Sequence, residues 1–201
     1  MIRSFIYDTL ILRLTSRWYA EMLGRIPEGA KLLDVGIGTA GALVANADLA
    51  RRKRFHITGI DIDVDYVARA RERLRGSPLE DRAEARLESI YDHRGGPYDA
   101  VCFSGSFMLL PDPVEALRHC RSLLGPDGRI YCTLTVQMES APLMEILKPM
   151  LKWVTSIDFG RVTYEAEFKA QLLSAGFELE EFTPLGRLGS RVGHIAVARP
   201  L

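Results

Sequence analysis

The sequence predicts an α/β fold: a doubly wound, mostly parallel sheet of seven strands with an antiparallel strand at its C-terminal edge. Three observations carry this. Short apolar runs alternate with stretches of helical spacing from Lys31 to Val136, and such alternation demands parallel strands covered by helices on both faces. A glycine-rich turn closes the first of those runs. Near the C-terminus two extended runs follow one another with only a turn-rich stretch between them, the pattern of an antiparallel pair.

Taken in order, Ile6, Leu10, Leu14, Trp18 and Met22 recur at helical spacing and form an apolar stripe in need of a surface to cover. Pro27-Glu28-Gly29 ends that helix. Lys31 to Val35 reads as a buried strand, and residues 40–53 as a helix with Leu43, Val44, Ala47 and Ala50 on one side. His56 to Ile60 is a second strand, and Val64 to Leu74 an arginine-rich helix. Ala85-Arg86-Leu87 is a weak third strand and Tyr98 to Phe103 a stronger fourth. Asp112 and Pro113 supply an N-cap and an N1 proline for a helix running to Leu124. The turn cluster Gly125-Pro126-Asp127-Gly128 ends it, and a fifth strand covers Arg129 to Val136. A helix around residues 165–175 precedes the last two strands, Phe177 to Phe182 and His194 to Ala198.

Composition narrows the function classes. The 201 residues are 47% apolar and 26% charged, with 26 Lys plus Arg against 26 Asp plus Glu. That excludes a disordered or collagen-like chain. A dedicated nucleic-acid binder carries a basic excess, which is absent here, so no nucleic-acid partner is expected. The run Arg51-Arg52-Lys53-Arg54 closes a helix, where cations complement the dipole. Cys102, Cys120 and Cys132 form no CxxC pair and read as reduced, buried thiols. The N-terminus lacks the pattern of a secretory signal, and no apolar run reaches the roughly 18 residues that span a bilayer. A cytoplasmic protein is expected. His56, His93, His119 and His194 are scattered without ligand spacing, so no metal site is expected.

The sharpest feature is Asp34-Val35-Gly36-Ile37-Gly38-Thr39-Ala40-Gly41 at the end of the first strand. Glycines there let the chain turn tightly and bring backbone N–H groups close to a ligand at a helix N-terminus. Asp61 closes the neighbouring strand, where an acid accepts the hydroxyls of a ribose. Gly36-x-Gly38-x-x-Gly41 also matches the dinucleotide fingerprint, so an NAD(P)-binding oxidoreductase is one reading. Asp34 argues against it. A carboxylate beside a pyrophosphate costs on the order of 4 kcal/mol at an effective dielectric near 20. A nucleoside bearing a cationic amine would be attracted by the same charge.

These residues together resemble the class I S-adenosylmethionine-dependent methyltransferases, over about residues 30–135. Leu32 to Thr39 is similar to that family's first motif, Asp61 in Gly-Ile-Asp-Ile to its ribose-binding acid, and Tyr98 to Ser104 to its fourth strand. Leu123-Leu124-Gly125-Pro126-Asp127-Gly128 resembles the turn before strand five, with Asp127 in place of the usual glycine. Ala40 departs from the family's third glycine. The resemblance implies a Rossmann-like fold, S-adenosyl-L-methionine as cofactor, and Asp34, Gly36, Gly38, Ala40, Asp61, Ile62, Glu88, Ser89 and Ser104 as its binding residues. Glu88 would meet the adenine amine, with Asp92 the alternative.

The sequence contains no internal repeat, low-complexity segment or linker, so a single domain is expected, divided into an N-terminal helical cap (1–29), a donor-binding core (30–136), an insertion (137–164), and a C-terminal helix with antiparallel strands (165–201). The implied activity is methyl transfer to a small, partly apolar metabolite. Ser104-Gly105-Ser106-Phe107 stands where base- and amide-methylating branches carry Asn-Pro-Pro-Tyr or Asp-Pro-Pro-Tyr. Candidate substrate-binding residues are Tyr7, Trp18, Tyr19, Ser106, Met138, Met144 and Trp153. The insertion is either a lid over the acceptor, rich in adaptable Met and aromatic side chains, or core packed on the sheet. In-line transfer from a sulfonium needs alignment and exclusion of water first, and a base only for a protonated acceptor. His119, Glu139, Asp158 and Tyr164 are the polar candidates for that task. A non-catalytic protein that binds S-adenosylmethionine and acts through a partner is the third reading.

Overall fold

The computed structural model describes residues 16–137, 164–188 and 191–201. Helix α1 covers residues 16–25. It is followed by β1 (Lys31–Val35), α2 (Gly41–Ala45), α3 (Ala47–Arg52), β2 (His56–Asp61), α4 (Val64–Leu74), β3 (Ala83–Leu87) and β4 (Tyr98–Ser104). A short 3-10 turn at Phe107–Leu109 leads to α5 (Pro113–Leu123) and β5 (Leu124–Gln137). Helix α6 (Glu165–Ser174), β6 (Phe177–Leu188) and β7 (Arg191–Pro200) complete the described chain.

The seven strands lie in the order β3-β2-β1-β4-β5-β7-β6. The pairs from β3 to β5 are parallel, whereas β7 is antiparallel to both β5 and β6. The reversed strand therefore lies one place inside the edge that β6 forms.

Alternation along each strand builds two cores, because successive side chains point to opposite faces. Leu32, Ala100 and Cys102 join residues of α1 to α4 on one face, among them Met22, Leu23, Leu43, Ala50, Val67 and Leu74. Leu33, Val101 and Phe103 join Leu117, Cys120, Phe168 and Leu172 of α5 and α6 on the other. Two of the helices carry acidic caps. Asp63 accepts from the N–H groups of Asp65 and Tyr66, and Asp112 from that of Glu115.

Two elements differ from the sequence expectation. The helix expected over residues 40–53 is broken at Asn46, whose backbone leaves helical geometry (φ −113°). The Asn46 amide donates to the Ala42 carbonyl at 2.8 Å and to the Ser16 carbonyl at 2.9 Å, fastening the break to the start of α1. β5 begins five residues earlier than expected, since the turn cluster Gly125 to Gly128 stays alongside β4, with a register shift between Tyr98 and Ala100.

Trp18 is buried, with its indole lying against Gly193 of β7. A Cβ at Gly193 would come within 2.3 Å of that ring. Gly193→Ala is therefore expected to cost about 1–3 kcal/mol through overpacking, measured as a lowered denaturation midpoint.

Candidate functional site

The carboxyl ends of β1, β2 and β4 surround a cleft of about 370 Å³. It sits where the sheet order reverses, between β1 and β4, the crevice in which open α/β sheets hold ligands. The floor is the glycine turn after β1. Gly36, Gly38 and Ala40 all adopt positive φ, of 77°, 58° and 56°. The N–H groups of Gly36 and Ile37 both donate to the Ile60 carbonyl, at 2.8 and 3.1 Å, tying the turn to β2. Ser106 donates to the Val35 carbonyl from beneath. A Cβ at Gly36 would lie 2.5 Å from that of Ser106.

Asp61, at the tip of β2, lines the cleft. Its two oxygens accept from Gly38 N at 2.9 Å and Asp63 N at 3.0 Å, which fixes the carboxylate against the turn. A carboxylate has about four acceptor positions, so capacity for ligand hydroxyls is left. Ile62 beside it is 77% exposed on the rim.

A smaller cavity of about 40 Å³ adjoins the cleft and shares Gly36 and Ser104 with it; Tyr19, Asp34 and Ala42 are among the other lining residues. Asp34 is 1% exposed. Tyr19 donates its hydroxyl to Asp34 Oδ2 at 2.6 Å, while Oδ1 is buried with no hydrogen-bond partner among the described residues. Burial pushes the Asp34 carboxyl up to about 6, with the Tyr19 bond opposing and the Asp61 charge adding. Burial and the Asp34 charge hold the Tyr19 phenol well above its ordinary value, so it remains a donor. An orphaned carboxylate oxygen facing a small cavity is costly alone and is best satisfied by a cation.

Glu88 and Ser89 line the far side of the cleft, and the Glu88 N–H donates to the Asp61 carbonyl at 3.0 Å. Asp92, the alternative acid, is exposed and does not line the cleft. Ser104 Oγ lies 3.3 Å from Thr133 Oγ1 at the junction of the two cavities. Sequence reasoning missed Tyr66 and Tyr91, which also line the cleft. Tyr91 accepts from Asp112 N at 3.0 Å and donates to the Asp112 carbonyl at 2.9 Å, pinning the loop before α5 to the cleft wall. Tyr66 carried a weak signal, one turn into the helix that Asp63 caps.

Several expected positions fall elsewhere. Ala40 shapes the turn but lines neither cavity. His119 lies outside the cleft on α5, with its Nε2 2.7 Å from the His93 carbonyl. Trp18 lines neither cavity, and its ring lies against Gly193 of β7. Tyr164 is the N-cap of α6 and lines neither cavity. Tyr7, Met138, Glu139, Met144, Trp153 and Asp158 lie outside the described residues. Among the described residues, no group of three His, Cys, Asp or Glu side chains is placed to hold a metal ion.

The sequence pattern of the methyltransferase domain family matches residues 33–130, which contain the glycine turn, Asp61 and Glu88. Residues 33–130 thus carry the pattern of a methyltransferase domain, in line with the resemblance to the class I S-adenosylmethionine-dependent methyltransferases. It is 31% identical over 166 residues to a ubiquinone biosynthesis O-methyltransferase of Xylella fastidiosa (strain 9a5c), a match covering 78% of this chain. The chain spans 65% of that relative's length. Among solved methyltransferase structures, geranyl diphosphate C-methyltransferase from Streptomyces coelicolor superposes with a TM-score of 0.74 at 13% identity, over 94% of this chain and 79% of the other. The [4+2]-cyclase SpnF superposes at 0.72 with 20% identity, over 94% and 81%. The methyltransferase fold is thus shared with a cyclase, so the chemistry has to be argued from the site.

Proposed function

We propose that the protein transfers a methyl group from S-adenosylmethionine to a small, partly apolar acceptor. The observation that carries this is the orphaned, buried Asp34 Oδ1 beside the nucleoside-sized cleft. A donor with a cationic amine at one end and a nucleoside at the other fits that pair of cavities, whereas a pyrophosphate would meet an unpaired carboxylate. In this reading Asp34 holds the amine, the turn at Gly36 and Gly38 presents its backbone, and Asp61 takes the ribose hydroxyls. Glu88, Ser89 and Ile62 flank the adenine, and Ser104 stands at the junction. When bound, the donor supplies an electrophilic methyl on its sulfonium. The protein's part is to fix the donor at both ends, orient the acceptor and keep water out.

The similarity to the Xylella O-methyltransferase supports oxygen as the accepting atom. The even balance of 26 basic and 26 acidic residues supports a small molecule over a nucleic acid. No helix among the described residues is long and apolar enough to cross a membrane. Cys102, Cys120 and Cys132 are buried free thiols, which supports a reducing, cytoplasmic setting.

Calorimetric titration tests the reading: micromolar binding of S-adenosylhomocysteine with none of NADH is expected, and the reverse refutes it. Asp61→Ala is expected to weaken S-adenosylhomocysteine by about 1–3 kcal/mol, since ligand hydroxyls and the Gly38 N–H lose their acceptor together. Unchanged affinity would remove Asp61 from the site.

A further inference from the structure

Glu88 carries a flexible side chain at the cleft wall, and such a carboxylate selects a base only if something holds it. Behind it lies His93, which is fully buried. His93 Nδ1 is 3.0 Å from Glu88 Oε2, without the alignment of a finished hydrogen bond, and has no hydrogen-bond partner among the described residues. The ring is fixed on its far side, where Nε2 is 2.9 Å from the Tyr98 hydroxyl. Its backbone is fixed as well, because the His93 carbonyl accepts from Arg94 at 3.0 Å and lies 2.7 Å from His119 Nε2. A buried imidazole held this firmly offers Glu88 one anchored donor, provided that Tyr98 donates to Nε2 and the ring proton sits on Nδ1.

We propose that His93 is a positioning residue for Glu88: its Nδ1–H holds one carboxylate oxygen and leaves the other to accept the exocyclic amine of the donor's adenine. This rests on the proposed placement of adenine beside Glu88. His93 touches neither donor nor acceptor, and its effect is on base selection. A base with a carbonyl oxygen in place of that amine sets two acceptors against each other, which the site rejects.

The test compares S-adenosylhomocysteine with its hypoxanthine analogue, S-inosylhomocysteine, by calorimetry. The wild-type chain is expected to prefer adenine by about tenfold to a hundredfold, the range of a charge-assisted hydrogen bond. Glu88→Gln removes most of that preference. His93→Gln keeps a polar group near Tyr98 but loses the Nδ1 donor, and its preference falls as in E88Q. His93→Asn keeps a donor near the Nδ1 position and retains the preference. A purely structural role would follow the Tyr98 contact and give the opposite ranking. Full preference in H93Q alongside its loss in E88Q overturns the inference and leaves the adenine placement standing. Full preference in E88Q overturns both. The nitrogen-15 resonances of His93 in the wild-type chain decide the matter however the variants fold: a proton on Nδ1 is expected, and a proton on Nε2 with a bare Nδ1 overturns the inference.

Discussion

Asp34→Asn is expected to make the ligand-free protein more stable while removing tight donor binding. The Asp34 carboxyl rises from 3.8 to about 6 in the fold, chiefly because burial penalises its charge. Between those values the unfolded chain has already released a proton that the folded chain still holds. Stability therefore falls as pH rises through that window and stays at its lower level above about pH 6. The span corresponds to about 3 kcal/mol, which the asparagine variant recovers in part because Tyr19 still has an acceptor opposite it. The advantage of D34N should be largest near pH 8 and shrink as pH is lowered towards 4, read from denaturation midpoints. S-adenosylhomocysteine should bind D34N weaker by about 2–5 kcal/mol, the usual loss when one partner of a buried charge pair is removed. A wild-type chain more stable than D34N at pH 8 would show that Asp34 is satisfied within the fold and awaits no cation.

The second large effect belongs to Gly36. At φ 77° an alanine pays about 1–2 kcal/mol for a left-handed backbone. Its Cβ would also lie 2.5 Å from that of Ser106, which is held in place by its bond to the Val35 carbonyl. Overpacking of this kind adds about 1–3 kcal/mol. Gly36→Ala should therefore cost about 3 kcal/mol in chemical denaturation and displace the turn that carries Asp61's Gly38 contact, lowering donor affinity too. Pairing it with Ser106→Gly should return the steric part and leave the backbone part. If the double variant is no more stable than G36A, the contact with Ser106 is not what forbids a side chain at position 36.

The layering of the sheet was readable because it follows from local pattern. Leu32 and Leu33 are neighbours in sequence and belong to opposite cores, as period-two alternation requires. Asp34, Gly36 and Asp61 were readable because the turn that needs them is itself local. What escaped depended on distant partners. Asn46 breaks a helix because Ser16 takes its amide. Tyr91 reaches the cleft wall because Asp112 accepts and donates to its hydroxyl. Trp18 and Tyr19 stand side by side in sequence, yet one packs on β7 and the other secures Asp34. Helical periodicity places both on an inward face without saying which strand receives each. His119 has its Nε2 2.7 Å from the His93 carbonyl, a contact 26 residues away along the chain that no local pattern shows.

The position of β7 has a consequence for how the molecule is made. Residues 191–200 leave the ribosome after both of their partners, yet they sit between β5 and β6 and bond to both. Until they emerge, β5 offers a bare hydrogen-bonding margin to the cell and β6 has nowhere to dock, a state prone to mispairing with other chains. A truncation that removes these ten residues would therefore strip two strands from the sheet rather than one, and nascent chains halted just short of them should be the form that most needs a chaperone.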